Sequence, residues 1–185
     1  MTSDIVLIGP IGAGKSTLGE LLAARLKLPQ CSMDDRRWAY YKEIGYDEAV
    51  AQQKRAAGGW SLHYYWKPFE AYAVGRLLAE CRNCVIDFGA GHSVYENARL
   101  FQSVKQALVH YSNVVLLLPS PNVDESIRIL NERNSDLPDN TRDINELFVR
   151  HPSNRELAKR TIYTEGKAPA ESCDEILEQS KAHSY

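Results

Sequence analysis

"DIVLIGPIGAGKSTLGELLAARL", residues 4–26, contains the stretch that decides the fold. A short apolar run, Ile5 to Gly9, has strand length; a segment from Lys15 onward has the apolar spacing of a helix. Between them the glycines at 9, 12 and 14 complete G-x-x-x-x-G-K-[ST] in the setting that motif needs, a strand before it and a helix after it. Such glycines let the backbone turn tightly, so that N–H groups near the helix start converge on anionic oxygens. On this reading Gly9, Gly12, Ala13, Gly14, Lys15, Ser16 and Thr17 cradle the phosphates of ATP. Lys15 reaches the β- and γ-phosphates as a catalytic cation, and the Ser16 hydroxyl ligates Mg²⁺.

Working outward, the chain alternates. Apolar runs of strand length recur at 84–88 ("CVIDF") and 113–119 ("NVVLLLP"), with weaker ones at 30–33 and 161–164. Helical spacing fills 15–28, 35–56, 68–82, 94–110, 122–133, 143–160 and 168–182. Continuous hydrophobic strands separated by helices predict an α/β fold with a parallel sheet covered on both faces, in one domain over residues 1–185. In such sheets ligands collect beyond the carboxyl ends of the strands. That directs attention to Asp34 and Asp35, to Gly89 through His92, and to the loop itself.

Composition narrows the partners. The 185 residues are 44% hydrophobic and carry a net charge of −2, so no whole-chain positive field exists to hold nucleic acid or an anionic membrane. No segment approaches the roughly 20 apolar residues that span a bilayer, which points to the cytoplasm and a small soluble substrate. The four cysteines include one C-x-x-C, Cys81 and Cys84, without a second pair, and read as reduced, partly buried thiols.

The loop alone does not distinguish a kinase from a switch GTPase or a motor ATPase. An N-K-x-D base-reading motif is missing, which counts against a GTPase, and 185 residues with one such loop fit the small phosphotransferases of the nucleoside-monophosphate-kinase-like group. "IVLIGPIGAGKSTLGELLAARLKLP" then resembles the opening of shikimate kinases, including the Gly-Pro of the loop and the Leu-Pro that leads into the second strand. The resemblance implies a three-layer P-loop fold with a five-stranded sheet in the order 2-3-1-4-5, and transfer of the ATP γ-phosphate to a hydroxyl of a small acceptor.

Residue by residue, the resemblance is divergent. The family's D-x-D falls on Ser32 and Asp34, so the substrate-side carboxylate is retained as a catalytic and substrate-binding residue while the metal-associated one is lost. The third strand instead ends in Asp87, in the form of a strand whose carboxylate holds Mg²⁺ directly or through water, and Asp87 is expected to take over that work. Gly89, Ala90 and Gly91 replace the family's triple glycine beside the substrate; the Ala90 methyl narrows that wall. Of the substrate-anion arginines, one position is Lys67 in "WKPFE", ahead of Glu70, and the other is Arg155 in "NRELA". Lysine cannot supply the planar fork of arginine. The R-P-L-L lid segment is absent; "NERNSDLPDNTRD" (131–143), within an expected lid over 134–150, offers Arg133 for the nucleotide and Arg142 near the transferring phosphoryl.

Residues 36–72 hold all three tryptophans and six of the ten tyrosines. The resemblance makes this the acceptor-binding subdomain, with aromatics either lining a pocket or packing a small core; His92 is a further candidate for touching substrate. A different acceptor (a nucleoside, a sugar or an antibiotic-like alcohol) and a nucleotide-binding regulatory ATPase both remain open at this point, as does the oligomeric state.

Overall fold

The computed structural model describes residues 4–136 and 140–181. β1 (Ile5–Ile8) leads through the glycine loop into α1 (Lys15–Leu26), then β2 (Gln30–Ser32), α2 (Met33–Glu43), α3 (Glu48–Ala56) and α4 (Ser61–Glu80). β3 (Val85–Asp87), a 3₁₀ turn (Ala90–Ser93), α5 (Ala98–Ala107), β4 (Asn113–Leu118) and α6 (Val123–Arg133) follow. α7 (Asn140–Arg150), α8 (Ser153–Leu157), β5 (Arg160–Tyr163) and α9 (Pro169–Lys181) complete the chain.

The strands form one parallel sheet in the order β2-β3-β1-β4-β5, as the resemblance implied. Every residue of β1, β3 and β4 is buried, the signature of a sheet with helices on both faces. β1 lies between β3 and β4, so the chain leaving β1 opens into the crevice where the strand order reverses. Gly9 takes φ +144° there, and a Cβ on it would stand 2.6 Å from the Leu117 carbonyl oxygen, which is why no larger residue fits at the mouth of the loop. Among the described residues no helix is long and apolar enough to cross a membrane.

The helical boundaries differ from the sequence reading in three places. The expected helix over 35–56 is two helices. Gly45 adopts φ +84° and the Asp47 side chain accepts from the amides of Ala49 and Val50, a stop and a fresh N-cap in succession. α4 starts at Ser61 rather than 68 and runs straight through Pro68. The proline is exposed, as is Tyr64 one turn earlier, so the carbonyl that loses its partner is on the wet side of the helix. The expected helix over 143–160 breaks at His151 and Pro152 into α7 and α8. Of the segment 134–150 expected as a lid, residues 137–139 lie outside the described residues; the remainder is the turn that follows α6 (134–136) and α7. Residue 182, at the end of the last expected helix, also lies outside them.

All four cysteines are buried free thiols, and the sulfurs of Cys31, Cys81 and Cys84 lie within 4.8 Å of one another beneath α4. Burial pushes the Cys81 thiol up to about 12, so these groups pack as small neutral hydrophobes.

Candidate active site

A cavity of about 940 Å³ opens at the carboxyl edge of the sheet. Its floor is the loop and the first turn of α1, and its walls come from α2, the α3–α4 junction, α4, the 3₁₀ turn and α7.

On the floor, the buried Lys15 ammonium donates to the carbonyls of Gly9 and Pro10 at 2.9 and 2.8 Å. Burial pulls it down to about 8, against the upward influence of Asp34 and Asp87. Gly14 caps α1 at φ +92°, which leaves the first amides of the helix facing the cavity. An ammonium held only by carbonyls beside unpaired helix amides is a site short of negative charge, and phosphate oxygens satisfy both.

Asp87 ends β3 beside this floor. Its Oδ2 accepts from Ser32 Oγ at 3.1 Å and from Ser16 Oγ at 3.3 Å, and its Oδ1 accepts from Gln30 Nε2 at 3.0 Å. Burial pushes its carboxyl up, partly offset by those three donors. All three are neutral, and no ion pair to Asp87 occurs among the described residues. A buried carboxylate next to the Ser16 hydroxyl, without a cationic side chain, suits a hard divalent cation.

Close to this floor, Asp34 lies in the first turn of α2 with its side chain more than half exposed, and its Oδ1 pairs with Arg37 Nη1 at 3.1 Å. A Cβ on Gly89 would stand 3.0 Å from that same Oδ1, so the turn after β3 presses its backbone against the carboxylate. Ala90, Gly91 and His92 line the cavity and Gly89 lies buried behind them. His92 is buried and bridges Gly89 O (3.2 Å from Nδ1) and the Tyr41 hydroxyl (3.0 Å from Nε2). Burial lowers it to about 4, so the ring is neutral, with Nδ1–H donating to the carbonyl and Nε2 accepting from Tyr41.

The two positions matched to the family's substrate arginines are placed differently from the expectation. Lys67 is 4% exposed and its three N–H donors are all taken, by Glu70 Oε2 (2.6 Å), Gly91 O (3.0 Å) and Val94 O (2.9 Å). Burial pushes the Glu70 carboxyl up, but the charge and hydrogen bond of the Lys67 ammonium outweigh it and hold Glu70 below the usual range. Lys67 therefore braces α4 against the turn after β3, and no donor remains to meet a substrate. Arg155 is exposed on α8, gives Nη1 to the Val149 carbonyl at 3.3 Å, and is not among the residues that line the cavity. Arg133 stands beside the loop, with Nη1 3.5 Å from Gly12 O and Nη2 3.4 Å from Glu165. Arg142 is exposed on α7 and does not line the cavity, although its neighbours Asp143 and Ile144 do.

Sequence reasoning passed over Arg37, Lys54 and Arg55, all of which line the cavity. Arg37 was legible only as a helix charge one turn beyond Asp34. The aromatics of 36–72 divide between the two expected roles. Tyr41, Tyr46, Tyr65 and Phe69 stack on one another as a subdomain core, while Trp60 and Trp66 reach the cavity wall.

Comparison with known proteins sets these groups in context. The AAA domain family matches residues 5–146, from β1 into α7. The shikimate kinase of Enterococcus faecalis is 31% identical over 96% of this chain and 98% of its own length. The chain belongs to the shikimate kinase family. It is an ATP-dependent small-molecule kinase that transfers a phosphoryl group to a hydroxyl. Among solved structures, the shikimate kinase of Acinetobacter baumannii in complex with shikimate superposes with a TM-score of 0.67 at 22% identity, covering 98% of this chain and 94% of that one. A gluconokinase from Sinorhizobium meliloti gives a TM-score of 0.58 at 15% identity, over 100% and 98% of the two chains. At such identities these two likenesses speak for the shared fold.

Proposed function

We propose that the acceptor of this family member is shikimate or a close hydroxy-carboxylate, phosphorylated in the cytoplasm on a hydroxyl that Asp34 orients. The observation that supports this reading is one cavity lined both by the glycine loop with Lys15 and Ser16 and by a half-exposed carboxylate at the position the family resemblance gives to substrate hydroxyls.

Asp34 accepts the hydroxyl hydrogen bond, aligns the attacking oxygen and takes its proton as transfer proceeds. Lys15, desolvated and pointing into the floor, neutralises charge on the transferring oxygens, and Arg133 steadies the nucleotide from the end of α6. Ser16 and Asp87 are the residues that would hold Mg²⁺, which would supply neutralisation of the negative charge on the nucleotide's phosphates. Trp60 and Trp66 close the cavity around the acceptor ring and limit access of water. Kinship with a kinase along nearly the whole chain favours this enzyme over a regulatory ATPase.

The test is coupled-assay ATP turnover by purified protein with Mg²⁺, alone and with shikimate, gluconate and a panel of neutral polyols. Stimulation by shikimate supports the reading. Stimulation only by a neutral polyol overturns it.

A further inference from the structure

The family's anion-holding positions are spent in this chain: Lys67 has no donor left and Arg155 stands outside the cavity. A hydroxy-carboxylate acceptor nevertheless needs a cation within reach of Asp34. Arg37 meets that need. It lies one helical turn beyond Asp34 on α2 and lines the same cavity. Nη1 is engaged by Asp34 Oδ1, and Nε is buried without a hydrogen-bond partner among the described residues, so the donors of this guanidinium are not all spent, in contrast to those of Lys67.

The guanidinium is also held in place before any ligand arrives. It lies 4.8 Å over the Trp38 ring, and the ion pair to Asp34 fixes its other side. The Arg37 side chain is still one third exposed at the cavity, and a planar carboxylate is the group that a guanidinium fork grips in bidentate fashion. Lys54 and Arg55, in the last turn of α3, add positive charge to the same cavity and favour entry of an anion.

We infer that Arg37 is the carboxylate-binding residue of the acceptor site, the anion subsite having moved from α4 and α8 to α2, so that one side chain both orients Asp34 and grips the acceptor. The inference rests on the proposed reading that the acceptor is a hydroxy-carboxylate.

The test compares shikimate with its methyl ester, which keeps the ring and hydroxyls and removes the charge, in the wild type and in Arg37→Gln and Arg37→Lys. Binding is measured by calorimetry in the presence of Mg–ADP, turnover by steady-state kinetics, and Mg–ADP affinity serves as the check on folding. Wild type is expected to prefer shikimate to the ester by roughly 10- to 100-fold, the worth of a charged bidentate contact. Arg37→Gln is expected to abolish that preference through a rise in KM for the acid that the ester does not share, alongside a fall in kcat common to both as Asp34 loses its partner, and Arg37→Lys to recover part of the preference. Retention of the preference in Arg37→Gln, with wild type active on shikimate, overturns the role of Arg37 and leaves the acceptor reading standing. A loss confined to kcat, equal for acid and ester, overturns it in favour of an action on the phosphoryl group. Failure of wild type to bind shikimate at all overturns both.

Discussion

Ser32 on β2 and Asp87 on β3 stand directly opposite each other in the parallel ladder, and the serine hydroxyl donates to Asp87 Oδ2 at 3.1 Å. On the proposed reading, the carboxylate that the family resemblance assigns to position 32 is displaced by one strand, onto the residue that the Ser32 hydroxyl meets. Asp87→Asn is expected to lower Mg²⁺-dependent turnover by about 100- to 1,000-fold, since charge neutralisation by a metal is worth several kcal/mol. Adding Ser32→Asp to that variant returns a carboxylate to the site and is expected to recover about tenfold, whereas Ser32→Asp alone places like charges face to face and lowers thermal stability. Mg²⁺ titrations of kcat in the three variants check this; failure of the double variant to exceed Asp87→Asn would argue against exchange of the carboxylate between strands.

Asp34 carries the acceptor-side chemistry in the proposed mechanism. Asp34→Asn keeps the side-chain shape and removes the proton acceptor, so turnover should fall by about 100- to 10,000-fold while ATP affinity changes little. Steady-state kinetics beside nucleotide calorimetry separate the two. Equal losses in both would mean that the carboxylate serves the nucleotide.

Lys15 gives the site a pH signature. Without nucleotide, burial keeps its pKa near 8; phosphate oxygens favour the charged form and move it back towards its ordinary value of 10.5. Between those limits nucleotide binding takes up a proton, so affinity weakens as pH rises above 8, by up to about tenfold per pH unit. Calorimetry at pH 9 in two buffers of different ionisation enthalpy should detect that uptake in the wild type. Lys15→Ala should bind ATP weakly and show none.

His92 contributes on the acid side. Its unfolded form takes a proton near 6.5 and its folded form only near 4, so through that window the unfolded chain binds more protons and stability falls as pH drops. The two values imply a loss of about 3 kcal/mol from this ring. His92→Gln, although less stable at pH 7, should show a flatter decline between pH 6.5 and 4 in urea titrations. Parallel declines would mean that other groups set the acid limb.

The loop and the parallel sheet were legible because glycines 9, 12 and 14, buried apolar strands and the K-S pair are local signals read directly from spacing; the strand order followed from the family resemblance, not from spacing. The helix ends were less legible. The new N-cap at Asp47 and the passage of α4 through Pro68 depend on which face of each helix meets solvent, and that is decided by packing. At the site, Asp34, Asp87 and the loop were singled out by their position after strands, and the structure brings them to one cavity edge. Lys67 was misjudged because its three acceptors come from Glu70, Gly91 and Val94, the last two on a segment more than twenty residues away. Arg37 was passed over because nothing in a lone charge beside Asp34 announces a buried, unpartnered Nε.

Gly91 shows how tightly that bracing is built. A Cβ there would collide with Glu70 Oε1. Gly91→Ala should therefore disturb the Lys67–Glu70 pair and cost about 1–3 kcal/mol of stability, measured by chemical unfolding.

One side of the acceptor pocket is thus cast in advance and the other is free to vary. Lys67 ties α4 to the turn after β3 by contacts that no ligand supplies, whereas Trp60 and Trp66 reach the cavity from the cap and opening turns of that helix. On the proposed reading, substrate range can drift by changing those two side chains without recasting the Lys67 brace or the Arg37–Asp34 pair, which makes them the natural dials for anyone seeking to redirect the enzyme to a new alcohol.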